Sequence, residues 1–250
     1  MEPVMSAALL LSRAKNVVVF TGAGVSAESG LATFRGAGGL WEGHRVEDVA
    51  TPEAFARDPL LVWRFYAMRR ESAKKAQPNP GHKAIAKLEE LFPSLVVVTQ
   101  NVDALHRRAG SRKVLELHGS LWRIRCDRCG REREDERVPL PELPPRCSLC
   151  GGMERPAVVW FGEALPEDVF AQAQRACLEA DAMLVVGTSG VVWPAAGLVA
   201  LAAAAGAAII EVNPEPSALA YLATVQIPMK AGEALPALTA KLLEVQGARA

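Results

Sequence analysis

The chain has 250 residues, half of them hydrophobic and 22% charged, which excludes a disordered or fibrous protein and leaves room for a large core. Lys plus Arg and Asp plus Glu both number 28, so the net charge is zero and non-specific nucleic-acid binding is not expected. No basic stretch precedes the first apolar segment, so no signal peptide is expected, and the five cysteines fit a reducing, cytoplasmic setting without disulfides.

Residues 4–14 predict an amphipathic helix leading into Val17-Val-Val-Phe20, a short apolar run that reads as a buried parallel strand. Thr21-Gly-Ala-Gly24 follows at once. Glycines 22 and 24 would permit positive φ or a close backbone approach to a ligand. Ser26, Glu28 and Ser29 offer polar groups where a helix could begin. A strand entering a Gly-rich turn before a helix suits phosphate binding, or is a plain βα turn. The next glycine is Gly30, so the spacing departs from the G-x-G-x-x-G dinucleotide fingerprint.

Further strands are expected at 95–99, 114–117, 157–160, 183–187 and 208–212. Helices are expected at 59–75, 81–91, 167–180, 195–205 and 233–245. This alternation predicts an α/β fold with a parallel sheet covered on both faces. The residues just after the strands are small or polar: Gln100-Asn-Val-Asp103, His118-Gly-Ser120, Gly187-Thr-Ser189 and Asn213-Pro-Glu215. All would gather on one rim, where such sheets bind ligands. Residues 190–210 carry no charge over 21 positions, but Pro194, Gly197 and Gly206 interrupt them; they read as loop, buried helix and strand rather than a membrane span.

Segments 36–80 and 121–156 break the alternation. The second holds Cys126-x-x-Cys129 and Cys147-x-x-Cys150, 17 residues apart, a spacing suited to a closed four-thiolate zinc site. Gly130 and Gly151 suit the turns of the two knuckles. Unrelated free thiols or a redox pair are the alternatives. Cys177 stands apart in a helical stretch.

Taken together, GAGVSAESGLATFRG, TQNVDALH, LHGS, the two knuckles, GTS and VNPE resemble the sirtuins, NAD-dependent protein-lysine deacylases, over nearly the whole chain. The resemblance implies a Rossmann-like domain from 1–35, 81–120 and 157–250. A small domain would come from a helical insertion, 36–80, and a zinc-binding insertion, 121–156. It implies that Gly22, Ala23, Gly24 and Ala27 line the dinucleotide and that Phe34 and Arg35 close over it. Gln100, Asn101 and Asp103 would hold the nicotinamide end. Gly187, Thr188, Ser189, Asn213, Glu215 and the Ala231 backbone would hold the adenosine end. Val159, Trp160, Phe161, Gly162 and Glu163 resemble the strand that pairs with a substrate peptide. Cys126, Cys129, Cys147 and Cys150 would ligate one structural zinc ion.

By residue type alone, His118 is more readily structural than catalytic. The resemblance makes it the general base, with Asn101 beside it. The resemblance implies that the acyl oxygen would attack the ribose carbon as nicotinamide leaves, and that His118 would deprotonate the 2′-hydroxyl so that it attacks the resulting imidate, with free lysine and 2′-O-acyl-ADP-ribose as products. His106 is expected to be structural; His82 and His44 have no evident partner. Tyr66 and Arg69 lie three apart on one predicted helix face, where packing and solvation would explain them. The Tyr-x-x-Arg pattern, with Ala50, resembles the sirtuin class that takes succinyl- and malonyl-lysine, which implies those activities alongside deacetylation. The expected partners are acyl-lysine proteins, with no nucleic acid and no membrane, and the chain is expected to be a monomer. A hydride-transferring dehydrogenase conflicts with the glycine spacing. A non-catalytic zinc module leaves the polar rim unexplained, and mono-ADP-ribosyl transfer would use the same site.

Overall fold

A computed structural model describes residues 2–33, 40–41 and 43–248, for 40 and 41 the backbone alone. Phe34 and Arg35, the expected closing pair, lie outside the described residues. The elements run α1 (Glu2–Leu11), β1 (Asn16–Thr21), α2 (Gly24–Ala27), β2 (Leu40–Trp41), β3 (His44–Arg45), α3 (Val46–Val49), α4 (Pro52–Arg57), α5 (Pro59–Lys75) and α6 (Pro80–Glu89). Then come β4 (Ser94–Thr99), α7 (Leu105–Arg108), β5 (Val114–Glu116), β6 (Gly119–Cys126), β7 (Glu132–Glu134), β8 (Glu154–Val158) and α8 (Glu167–Leu178). The chain closes with β9 (Ala182–Val186), α9 (Gly197–Ala204), β10 (Ala208–Val212), β11 (Val225–Ile227) and α10 (Ala231–Gly247).

The main sheet has six parallel strands in the order β11-β10-β9-β1-β4-β5. Alternate residues of β1 serve its two faces. Val17 and Val19 pack with Leu11 of α1, Ile85 and Leu88 of α6 and Leu235 and Leu238 of α10. Val18 and Phe20 pack with Ala173 and Cys177 of α8 and Leu198 and Val199 of α9. The chain builds outward from β1 to β4 and β5, then returns to add β9, β10 and β11 on the other side. Strand order therefore reverses at β1, and a crevice opens beyond its C-terminal end.

A second lobe has its own core, in which Val49, Phe55, Trp63 and Tyr66 meet Leu121, Ile124, Val158 and Trp160. Its three-stranded sheet runs β7-β6-β8, with both pairings antiparallel. The segment 157–160, expected as a strand of the main sheet, belongs here instead: β8 ends at Val158 and pairs with β6. The sixth place in the main sheet is taken by β11, three residues too short to announce themselves. The chain changes lobes at Gly119, whose φ is +76° and whose added Cβ would fall 2.1 Å from the Ala157 carbonyl oxygen, so a side chain there would bar the crossing.

The long helix α5 begins and ends where local chemistry dictates. Asp58 accepts the Leu61 N–H at 2.9 Å, Pro59 opens the first turn, and Lys74 and Lys75 sit in the last. The uncharged 190–210 run folds as loop, α9 and β10, and among the described residues no helix is long and apolar enough to cross a membrane.

Candidate active site and metal centre

The two lobes enclose a cleft of about 950 Å³. Every described residue assigned above to the dinucleotide, the acyl group or the peptide lines it, including Ala27, Ala50, Glu215 and Ala231. The rim is knitted by hydrogen bonds between loops. Gln100 Nε2 donates to Thr188 Oγ1 at 3.1 Å, Asn213 Nδ2 to the Thr188 carbonyl at 3.0 Å, and Gly24 N to the Gly187 carbonyl at 2.8 Å.

Gly22 and Gly24 line the cleft, and of the two freedoms expected of them they use the close approach rather than the left-handed backbone. Neither has positive φ. A Cβ on Gly22 would lie 2.9 Å from the Gly187 oxygen and Thr188 Cα, and one on Gly24 would lie 2.7 Å from the same oxygen. They are glycine because two βα loops press backbone on backbone. The helix expected near Ser26 is the single turn α2, starting already at Gly24.

His118 sits between β5 and β6, where the chain leaves one lobe for the other. Its Nδ1 lies 3.0 Å from the Gln100 carbonyl oxygen. A carbonyl can only accept, so Nδ1 carries the proton and Nε2 remains the basic nitrogen. Burial lowers its pKa, partly offset by the bond to Gln100, so the ring is neutral at pH 7.

Asn101 Nδ2 donates to the Gly22 carbonyl at 3.0 Å and to Ser26 Oγ at 3.2 Å. Ser26 Oγ in turn donates to Asp103 Oδ2 at 2.8 Å, while Asp103 Oδ1 accepts the Leu105 N–H at 2.8 Å. Burial raises the Asp103 pKa, against the pull of those two donors. Behind this network the buried rings of His82 and His106 lie 4.9 Å apart. His106 Nε2 meets Thr21 Oγ1 at 2.9 Å, as befits a structural histidine, and His82 Nε2 lies 3.4 Å from Ser26 Oγ. Ser26 and His82 went unassigned in the sequence because their partners come from distant segments and no local spacing marks them.

From the second lobe, Tyr66, Arg69 and Ala50 line the cleft. The Arg69 guanidinium lies 5.5 Å from the Tyr66 ring centroid, and Trp160 Nε1 donates to the Tyr66 hydroxyl at 2.9 Å. Burial raises the Tyr66 pKa despite the Arg69 charge. Trp160 and Phe161 are fastened from within: their N–H groups donate to Glu163 Oε2 at 2.8 Å and to the Ala50 carbonyl at 3.0 Å. Glu163 is held by Arg155 at 2.6 and 2.8 Å, so its carboxylate stiffens this turn. Burial opposes its ionisation, but the bonds from Arg155 and the Trp160 N–H prevail and lower its pKa. Val191 and Trp193 also line the cleft, 63% and 68% exposed, an apolar lip that the unbroken run after Ser189 could have announced.

The four sulfurs of Cys126, Cys129, Cys147 and Cys150 lie within 4.8 Å of one another. Two of the separations are 3.5 and 3.8 Å. A tetrahedron with Zn–S of about 2.3 Å has edges of about 3.8 Å, so the set fits zinc. A Cβ on Gly152 would come within 3.2 Å of Cys126 Sγ and 3.3 Å of Cys150 Sγ, so the cradle tolerates nothing larger. Gly130 and Gly151 have φ of +72° and +70°, as the knuckle turns require. Cys177 is buried among α8 and α9 far from this chemistry, and burial pushes its thiol up to about 12.

The model of the Sir2 family matches residues 22–194. An NAD-dependent protein deacylase of Aquifex aeolicus is 52% identical over 234 residues, covering 94% of this chain and 98% of that protein. Among solved structures, a Sir2 homologue in complex with NAD superposes with a TM-score of 0.91 at 46% identity, covering 98% of this chain and 95% of that one. Sir2Af2 bound to a myristoylated histone peptide superposes with a TM-score of 0.80 at 37% identity, covering 99% of both chains. With the reversal of strand order at β1, the polar rim around His118 and the four-cysteine cradle, these likenesses place the chain in the Sir2 family.

Proposed function

We propose that this chain is an NAD-dependent protein-lysine deacylase whose cleft favours acyl groups ending in a carboxylate, succinyl and malonyl, alongside acetyl. The observation that carries the acyl preference is the pairing of Tyr66 and Arg69 in the cleft that also holds His118. A guanidinium can grip a terminal carboxylate with two N–H groups, and the phenol adds a third donor. Ala50, 2% exposed at the end of α3, leaves that corner open to a chain longer than acetyl.

NAD, when bound, would supply a ribose carbon that nicotinamide leaves and the neighbouring hydroxyl that takes up the acyl group. The chain's own residues orient and protect that exchange. The loop at Gly22–Gly24 and the ties among Gln100, Thr188 and Asn213 form a preformed seat for the dinucleotide. Asn101 is fixed by Gly22 and Ser26, which leaves its amide oxygen for the ligand. His118 Nε2 accepts a ribose hydroxyl proton, a step general-base catalysis speeds by about 10²–10⁴-fold. Phe161, Val191 and Trp193 form an apolar border against water.

Mass spectrometry of acetyl-, succinyl- and malonyl-lysine peptides, with and without NAD, tests this reading. R69M is expected to lose about 2–5 kcal/mol on succinyl peptides and far less on acetyl peptides. Equal losses on both would refute the acyl preference.

A further inference from the structure

Tyr66 is 1% exposed and Trp160 is 2% exposed, so neither polar atom can turn to bulk water. An indole N–H is a donor only, so the Tyr66 oxygen accepts from Trp160 across their 2.9 Å contact. Arg69, which also acts on that oxygen, is likewise a donor. A phenol then has one thing left to offer, its own proton. Among the described residues no oxygen or nitrogen accepts it. Tyr66 nonetheless lines the cleft, beside Arg69.

The indole is not free to turn away. The Arg155 guanidinium lies 3.3 Å from its ring centroid, and Arg155 is locked by both oxygens of Glu163, at 2.6 and 2.8 Å. Glu163 Oε2 also takes the Trp160 backbone N–H at 2.8 Å, so ring and backbone share one anchor.

We propose that Trp160 is a positioning residue. Its N–H occupies the Tyr66 oxygen, aims the Tyr66 proton into the cleft, and makes the pocket select acyl chains whose far end bears an oxygen acceptor over chains of equal length without one. This rests on the reading of Tyr66 and Arg69 given above. A hydroxyl able to rotate would accept as readily as donate and discriminate less.

The test compares succinyl-lysine with butyryl-lysine peptides, equal in acyl carbon number and different in the terminal carboxylate. W160F keeps an aromatic ring and removes the N–H; Y66F removes the hydroxyl. In each, the succinyl-to-butyryl ratio of kcat/KM is expected to fall about tenfold, the scale of one hydrogen bond to a charged acceptor. The change belongs to KM rather than kcat, and the double variant falls no further than either single one. Taking the ratio removes any general loss from disturbing the wall. If W160F does not fold, E163Q loosens the same anchor and lowers the ratio in the same direction. Wild-type protein that does not prefer succinyl over butyryl would overturn the acyl reading and this inference with it. A wild-type preference that Y66F abolishes but W160F leaves intact, or additive losses in the double variant, would overturn the role of Trp160 alone.

Discussion

His118 stands where β5 hands the chain to β6, and that position decides its protonation. The Gln100 carbonyl takes the Nδ1 proton at 3.0 Å, which fixes one tautomer. Burial disfavours the imidazolium and lowers the pKa below the ordinary 6.5. A base works only when neutral, so activity falls on the acid side as the ring gains a proton. The acid limb of kcat/KM against pH, read on the free enzyme, is therefore expected to bend below pH 6.5. His118→Ala should still bind NAD and lose nearly all turnover. An inflection above 6.5, or turnover surviving the substitution, would overturn the proposal that His118 is the base. At the same scale, the glycines of the first loop carry a lesson about inference from residue type. Gly22 and Gly24 were legible as a place where backbone comes close, but the close partner is the Gly187–Thr188 backbone.

Among the elements, β1, β4, β9 and β10 were legible because apolar, largely β-branched runs in a doubly covered sheet need no knowledge of their neighbours. Helix α5 was legible to the residue because Asp58 and Pro59 at its start are local signals. The small sheet was not. Arg123, Arg125 and the Glu-rich β7 are charged and partly exposed, and their pairing depends on cysteines that must first be brought together. That dependence reaches the helix that carries Tyr66 and Arg69. Arg70 of α5, 2% exposed, donates to the backbone carbonyls of Asp135 at 2.6 Å and Arg137 at 3.0 Å, and also to that of Leu121. Asp135 is gripped by Arg133 at 2.6 Å, and Arg133 by Glu154 at 2.6 Å. The knuckles thus hold the carbonyls that hold the helix bearing Tyr66 and Arg69. Stripping zinc with a chelator is expected to raise amide hydrogen exchange in β6, β7, β8 and α5 while β1, β4, β9 and β10 stay protected. Faster exchange confined to residues 126–151 would break this link.

Across the whole molecule, the response to acid follows from histidines packed where the lobes' loops converge. His82 and His106 are 0% and 2% exposed, and both bury a neutral ring. Burial lowers the His82 pKa to about 4; burial, reinforced by the charge of His82, lowers that of His106 to about 3. An unfolded chain binds protons at these sites below about pH 6.5, while the folded one does not until far lower. The unfolded state therefore gains protons first, and stability falls with pH from about 6.5 down towards those folded values. Each ring contributes a slope of up to about 1.4 kcal/mol per pH unit in that window. His118 adds to it with the same sign. Asp103 and Glu116 oppose it, because burial raises their pKa values and acid relieves them. Asp135 adds its loss only below the ordinary carboxylate range, since hydrogen bonds from Arg137 and Arg133 hold it ionised far into acid. Between pH 6.5 and 4.5 the three histidines thus act in one direction, against the Asp103 and Glu116 carboxyls. Denaturant unfolding at closely spaced pH values is expected to show the midpoint dropping steadily through that interval, with His106→Gln flattening the slope. A stability that stays level from pH 6.5 to 4.5 would mean that these rings accept protons in the folded protein as easily as in the unfolded one.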